Sequence, residues 1–183
     1  WLSASHLPEQ YSAYRLTLNV SSTKLRMRLI LKLVDKMRDV NIIFVHCTAG
    51  NQRQRITDLL AEFRRKGWKN PGYHYVVDAD GVSHQLQSVE KIANGVSGYN
   101  AHSIHVAYLG GIDAKGRPVD NRTDAQKVEL RELLTSIKRQ FPEAKIMGHR
   151  DISPDVNHNG KVGTNERIKE CPCFDANNEY ADI

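Results

Sequence analysis

Apolar positions along the chain switch between a period of two and a period near 3.6, the signatures of strands and helices. The stretch "YRLTLNVSS" alternates Leu16, Leu18 and Val20 with polar residues and predicts a strand. Ser22 or Thr23 can cap the next stretch, "KLRMRLILKLVDKMRD". There Ile30, Leu33, Val34 and Met37 fall on one helical face, although its opening Leu25, Met27 and Leu29 would also suit the start of a strand. "VNIIFVHC" is a nearly unbroken, β-branched apolar run, the pattern of a strand covered on both faces. "TDLLAEFRRKG" predicts a helix that stops at Gly67. "GYHYVVDADGVSHQL" predicts a hairpin that turns at Asp80-Gly81. "SIHVAYLGG" reads as a further strand. "TDAQKVELRELLTSIKRQF" opens on a cap at Thr123 and repeats Leu130, Leu133, Leu134 and Ile137 on one face of a long helix. "EAKIMGH" predicts a short strand, and "ERIKE" and "DANNEY" predict short terminal helices.

This succession of strand, helix, hairpin, strand, helix and strand predicts an α/β fold with a central mixed β-sheet flanked by helices. In such folds ligand chemistry gathers at strand ends and in the loops beyond them. Residues 1–40 are expected to form an N-terminal extension, a strand plus a basic helix, ahead of a catalytic domain over residues 41–183. A start at Trp1 rather than Met reads as a processed or trimmed product.

Composition narrows the classes. The 183 residues are enough for one domain with a real core, and no apolar run reaches the roughly 18 residues of a membrane span. The net charge of +5 favours polyanions such as nucleic acid, anionic lipid or an acidic cell-wall polymer, and is equally consistent with a solvated surface. Three cysteines, an odd number, exclude a complete disulfide framework.

The chemistry concentrates near strand ends. His46 closes one core strand and His149 closes another, and Cys171 follows 22 residues after His149. Two histidines and a cysteine with a fourth position open make a reasonable catalytic zinc set. The three are not clustered in sequence, so each histidine taken alone also fits a satisfied core or surface residue. Cys47 adjoins His46 on a strand, so if His46 faces a site, Cys47 faces the core. A disulfide within "CPC" would be strained, which disfavours redox work there, and a Cys47–Cys173 bridge stays open.

"DVNHNGKVGTNE" matches the calcium-loop pattern at every specified position. Its ligands would be Asp155, Asn157, Asn159, the Lys161 carbonyl and Glu166, with Gly160 at the sharp turn. The alternative is an Asx-rich polar turn. Tyr73 starts the hairpin and Lys169 lies two residues before Cys171; beside a metal ion they could order water and stabilise an oxyanion. His6, His84, His102, His105 and His158 read as turn or strand-surface residues. Walker, G-x-S-x-G and H-E-x-x-H motifs are absent.

The ordered segments "IIFVHCTAG", "GWKNPGYHYVVDADG", "GYNAHSIHVAYLGG", "RTDAQKVELRELL", "GHRDISPD" and "CPCFDA" resemble the zinc-dependent N-acetylmuramoyl-L-alanine amidases over residues 41–180. That superfamily includes amidase-type phage lysozymes and the peptidoglycan recognition proteins. The resemblance implies a zinc cleft on one face of the sheet, zinc ligands His46, His149 and Cys171, and a catalytic pair Tyr73 and Lys169. It implies hydrolysis of the amide between the lactyl group of N-acetylmuramic acid and L-Ala of the stem peptide, or alternatively a non-catalytic peptidoglycan-binding module. Peptidoglycan is then the expected partner of a monomer, with no nucleic acid and no membrane span. Three stretches depart from the family: "IANGVSGYN" lacks a histidine ahead of G-x-N, Leu86-Gln87 stand where a Gly-Arg pair is common, and Ser103-Ile104-His105 stands where "SIG" is usual.

Overall fold

The computed structural model describes residues 38–160 and 162–183. The strand and basic helix expected within residues 1–37, and with them most of the 1–40 extension, lie outside the described residues. The described part is built on five strands: β1 (Ile42–Cys47), β2 (Tyr75–Val77), β3 (Ser83–Gln85), β4 (Ser103–Tyr108) and β5 (Lys145–Gly148). Three α-helices accompany them, α1 (Ile56–Arg65), α2 (Asp124–Gln140) and α3 (Ala176–Glu179).

The spatial order is β3-β2-β4-β1-β5. β1 runs parallel to β4 and β5, β2 runs parallel to β4, and the β2–β3 hairpin supplies the antiparallel edge. This is the expected mixed sheet. β1 is an internal strand between β4 and β5 of a sheet that carries helices on both faces, which explains its nearly unbroken apolar composition.

Strand alternation sorts the side chains onto two faces. Ile43, Val45 and Cys47 of β1 join Ile104, Val106 and Tyr108 of β4 against Leu130, Leu134 and Ile137 of α2. On the opposite face Val76, Ala107 and Leu109 pack on Leu59 and Phe63 of α1. His46 therefore projects to the α1 face and Cys47 to the α2 face.

α2 starts where its sequence says it should. Thr123 accepts from the Gln126 main-chain N–H, and the Gln126 side chain accepts from the Thr123 N–H, a complete capping box. Gln126 is fully buried and also donates to the carbonyls of Val77 and Leu109, joining the helix start to two strands. The C-terminal segment is fastened by Arg122, which pairs with Asp120 and Glu179 and lies over the Phe174 ring.

One expected element is absent. "ERIKE" forms no α-helix; a 3-10 turn at Thr164–Glu166 ends on its first residue, and the chain leaves that turn extended at Arg167. The Glu166 side chain accepts from the Gly163 main-chain N–H and closes the turn locally, so the segment needs no continuing helix.

Candidate metal centre

β1 and β5 are neighbours in a register that pairs Val45 with Gly148. The next residue in each segment is a histidine, the last but one of β1 and the first beyond β5, so His46 and His149 stand side by side at the same end of the sheet, with ring centroids 4.9 Å apart. His149 opens a 3-10 turn (His149–Ile152), and Asp151 accepts from the Gly148 N–H to hold that turn in place.

Cys171 comes from the C-terminal loop, and three contacts seat it. The Arg150 N–H donates to the Cys171 carbonyl at 2.7 Å, the Tyr108 hydroxyl donates to the Pro172 carbonyl at 2.8 Å, and the Cys47 N–H donates to Cys171 Sγ at 3.2 Å. Gly148 makes room for this approach, because a Cβ there would stand 2.6 Å from Pro172 Cδ.

One donor atom from each of His46, His149 and Cys171 lies within 4.8 Å of the others, and Cys171 Sγ is 3.7 Å from His46 Nδ1. Tetrahedral zinc with ligands at about 2.0–2.3 Å separates its donors by roughly 3.3–3.8 Å, so the set fits such an ion after a small contraction. His46 is buried, while His149 and Cys171 are half-buried, so the centre opens to the surface.

The electrostatics suit ligation, which requires neutral imidazoles. Burial, reinforced by His105, His149 and Lys169, holds His46 well below the ordinary histidine range. Burial and Lys169 bring His149 down to about 4. Lys169, exposed at the surface, is thus close enough to act on both rings.

Tyr73 packs between His46 and Phe63, with ring centroids 5.2 and 5.6 Å away, and its hydroxyl points to the Cys47 carbonyl at 3.5 Å. Burial and the nearby thiols hold its phenol above its usual range, so at neutral pH it is a proton-bearing donor.

The other cysteines stand on the α2 side. Cys47 and Cys173 are free thiols with sulfurs 3.8 Å apart, not a disulfide. Cys47 is pushed up to about 12 by its neighbour Cys171 and by burial, which keeps it protonated.

The Asp/Asn loop is internally satisfied. Asp155 accepts from the main chain of Asn159 and Gly160, and Glu166 from that of Asn157 and Gly163. Asn157 Oδ1 accepts from the Asn159 N–H. The Lys161 carbonyl lies outside the described residues. These bonds are those of an Asx-rich turn, and the calcium reading gains no support from them.

His105 differs from expectation. It is fully buried, not a strand-surface residue, and its Nδ1 lies 3.1 Å from His46 Nε2. The signal was the Ser103-Ile104-His105 departure, but nothing in strand periodicity shows that its ring faces a second histidine from the next strand.

Comparison with known proteins shows the family and the fold. The family described as N-acetylmuramoyl-L-alanine amidase matches residues 36–172. The endolysin of Klebsiella phage KP32 is 34% identical over 142 residues, covering 76% of this chain and 85% of that protein. The endolysin of Escherichia phage T7 is 31% identical over 135 residues, covering 73% of this chain and 80% of that protein. Among solved structures, the amidase LysC from Clostridium intestinale URNW superposes with a TM-score of 0.58 at 19% identity, covering 75% of this chain and 78% of that one, and so shows the shared fold. A family match across most of the chain, together with endolysin relatives above 30% identity, identifies the protein as a member of the N-acetylmuramoyl-L-alanine amidase family, an enzyme acting on peptidoglycan.

Proposed function

We propose that the protein is a zinc-dependent amidase that cuts the bond between the lactyl group of N-acetylmuramic acid and L-Ala of the stem peptide. The observation that carries this reading is the convergence of His46, His149 and Cys171, with both imidazoles neutral, at an open edge flanked by Tyr73 and Lys169. These three residues would hold the ion. Bound zinc supplies Lewis acidity toward the amide carbonyl and a nucleophile near neutral pH.

The chain's own groups do the rest. Tyr73 donates its phenolic hydrogen bond at the rim of the centre and orients the attacking water. Lys169 places a positive charge beside the negative charge that develops on the scissile carbonyl oxygen. A cationic protein with net charge +5 suits the carboxylates of a stem peptide. Residues 41–183 form the catalytic domain in this reading. All five proposed residues come from one chain, so a monomer suffices.

Digestion of purified sacculi tests the proposal. The expected products are free stem peptides with a new L-Ala amino terminus, lost on chelation and restored by zinc. Sacculus binding without amide cleavage at saturating zinc would instead identify a non-catalytic binding module.

A further inference from the structure

Three fully or nearly fully buried histidines, His46, His74 and His105, lie behind the centre, and their hydrogen bonds fix which nitrogen carries each proton. The Ser103 hydroxyl has one hydrogen, and it donates to the Tyr99 carbonyl at 2.8 Å, a partner that can only accept. Ser103 Oγ is also 3.1 Å from His105 Nε2, so there it must accept, and His105 carries its proton on Nε2. His105 Nδ1 is then a bare acceptor. It lies 3.1 Å from His46 Nε2, which must donate, and this leaves the lone pair of His46 on Nδ1, the nitrogen 3.7 Å from Cys171 Sγ.

The His105 ring has little freedom to move. It stacks on Phe44 with an interplanar angle of 3° and centroids 5.6 Å apart, and on His74 at 18° and 5.7 Å. The His74 Nε2–H donates to the Lys91 carbonyl, so its Nδ1 accepts the His105 main-chain N–H at 2.9 Å. Gly95 leaves the space the ring fills, since a Cβ there would stand 2.3 Å from His105 Nδ1. The stretch "IANGVSGYN" therefore lies against the strand that carries His105.

We propose that Ser103 and His105 form a positioning relay that fixes the tautomer and orientation of His46, so that Nδ1 is the nitrogen offered to the metal. His105 touches neither substrate nor metal; it acts through His46, as the outer partner of a ligating histidine does. This rests on His46 being a ligand, as proposed above.

Long-range proton–nitrogen correlation on the metal-free, nitrogen-labelled protein reads the relay directly. The expected spectrum shows His46 and His105 both protonated at Nε2 and bare at Nδ1. A proton on His46 Nδ1 would overturn the proposal. His105→Phe keeps an aromatic ring against Phe44 but removes the acceptor. It is expected to mix the His46 tautomers and to weaken zinc binding in a chelator competition by about 10–100-fold. His105→Asn, which returns an acceptor near the Nδ1 position, is expected to recover most of that loss. Wild-type tautomer and wild-type zinc affinity in His105→Phe would refute the relay. Because the tautomer is read without metal, a wild-type protein that binds no zinc would count against the donor set alone.

Discussion

The main-chain N–H of Cys47 donates to Cys171 Sγ across 3.2 Å, joining residues 124 positions apart in the chain. The strand that delivers His46 to the centre thus also orients the sulfur of the third proposed ligand. Cys171→Ser replaces that sulfur with a smaller, harder donor on a shorter bond. Zinc affinity and turnover should fall together, by more than the roughly 10–100-fold typical of outer-shell partners. Metal content and stem-peptide release measured on the same preparation check this, and unchanged values would remove Cys171 from the ligand set.

Tyr73→Phe keeps the ring between His46 and Phe63 and deletes only the hydroxyl. Turnover should drop by about 10²–10⁴-fold, the range of a positioned proton-bearing group. Zinc content and melting temperature should stay close to wild type, because packing and donor atoms are untouched. Turnover close to wild type would leave the phenol without a catalytic role.

The low position of His149 has a consequence for stability. Its folded value is about 4, whereas an unfolded histidine titrates near 6.5. Between those values the unfolded chain binds more protons, so this group makes stability rise with pH. Its contribution is fully present above about pH 6.5 and is lost as pH falls toward 4. The melting temperature of the metal-free protein should therefore climb across this window, and His149→Gln should flatten the climb. Equal slopes in the two proteins would refute the assignment.

The loop from Asp155 to Glu166 should be indifferent to calcium. Its two carboxylates already accept main-chain N–H groups, and binding would require those bonds to be exchanged. Melting of the zinc-loaded protein is expected to be unchanged by millimolar calcium; an upward shift would show that the loop rearranges into a cation site.

Much of the fold could be read from local pattern. β1 showed itself through an unbroken apolar run, α2 through its Thr123 cap and heptad-like spacing, and the opposite facing of His46 and Cys47 followed from strand alternation alone. The closing of the site could not be read in the same way. The 2.6 Å clearance between a Cβ at Gly148 and Pro172 is a contact between distant segments with no periodic signature. The same holds for His105, whose importance arises from the strand beside it. "ERIKE" misled for the opposite reason: a good helical composition lost to a local closure by Glu166.

The strand order also bears on how the enzyme is made. β1 emerges first among the described strands, yet it sits between β4 and β5, both synthesised later. The third proposed donor follows the first by 125 residues. A growing chain on the ribosome, with β1 still lacking both of its neighbours, therefore carries an incomplete set of the proposed donors. In the proposed reading the centre is complete only once the last of these segments has docked.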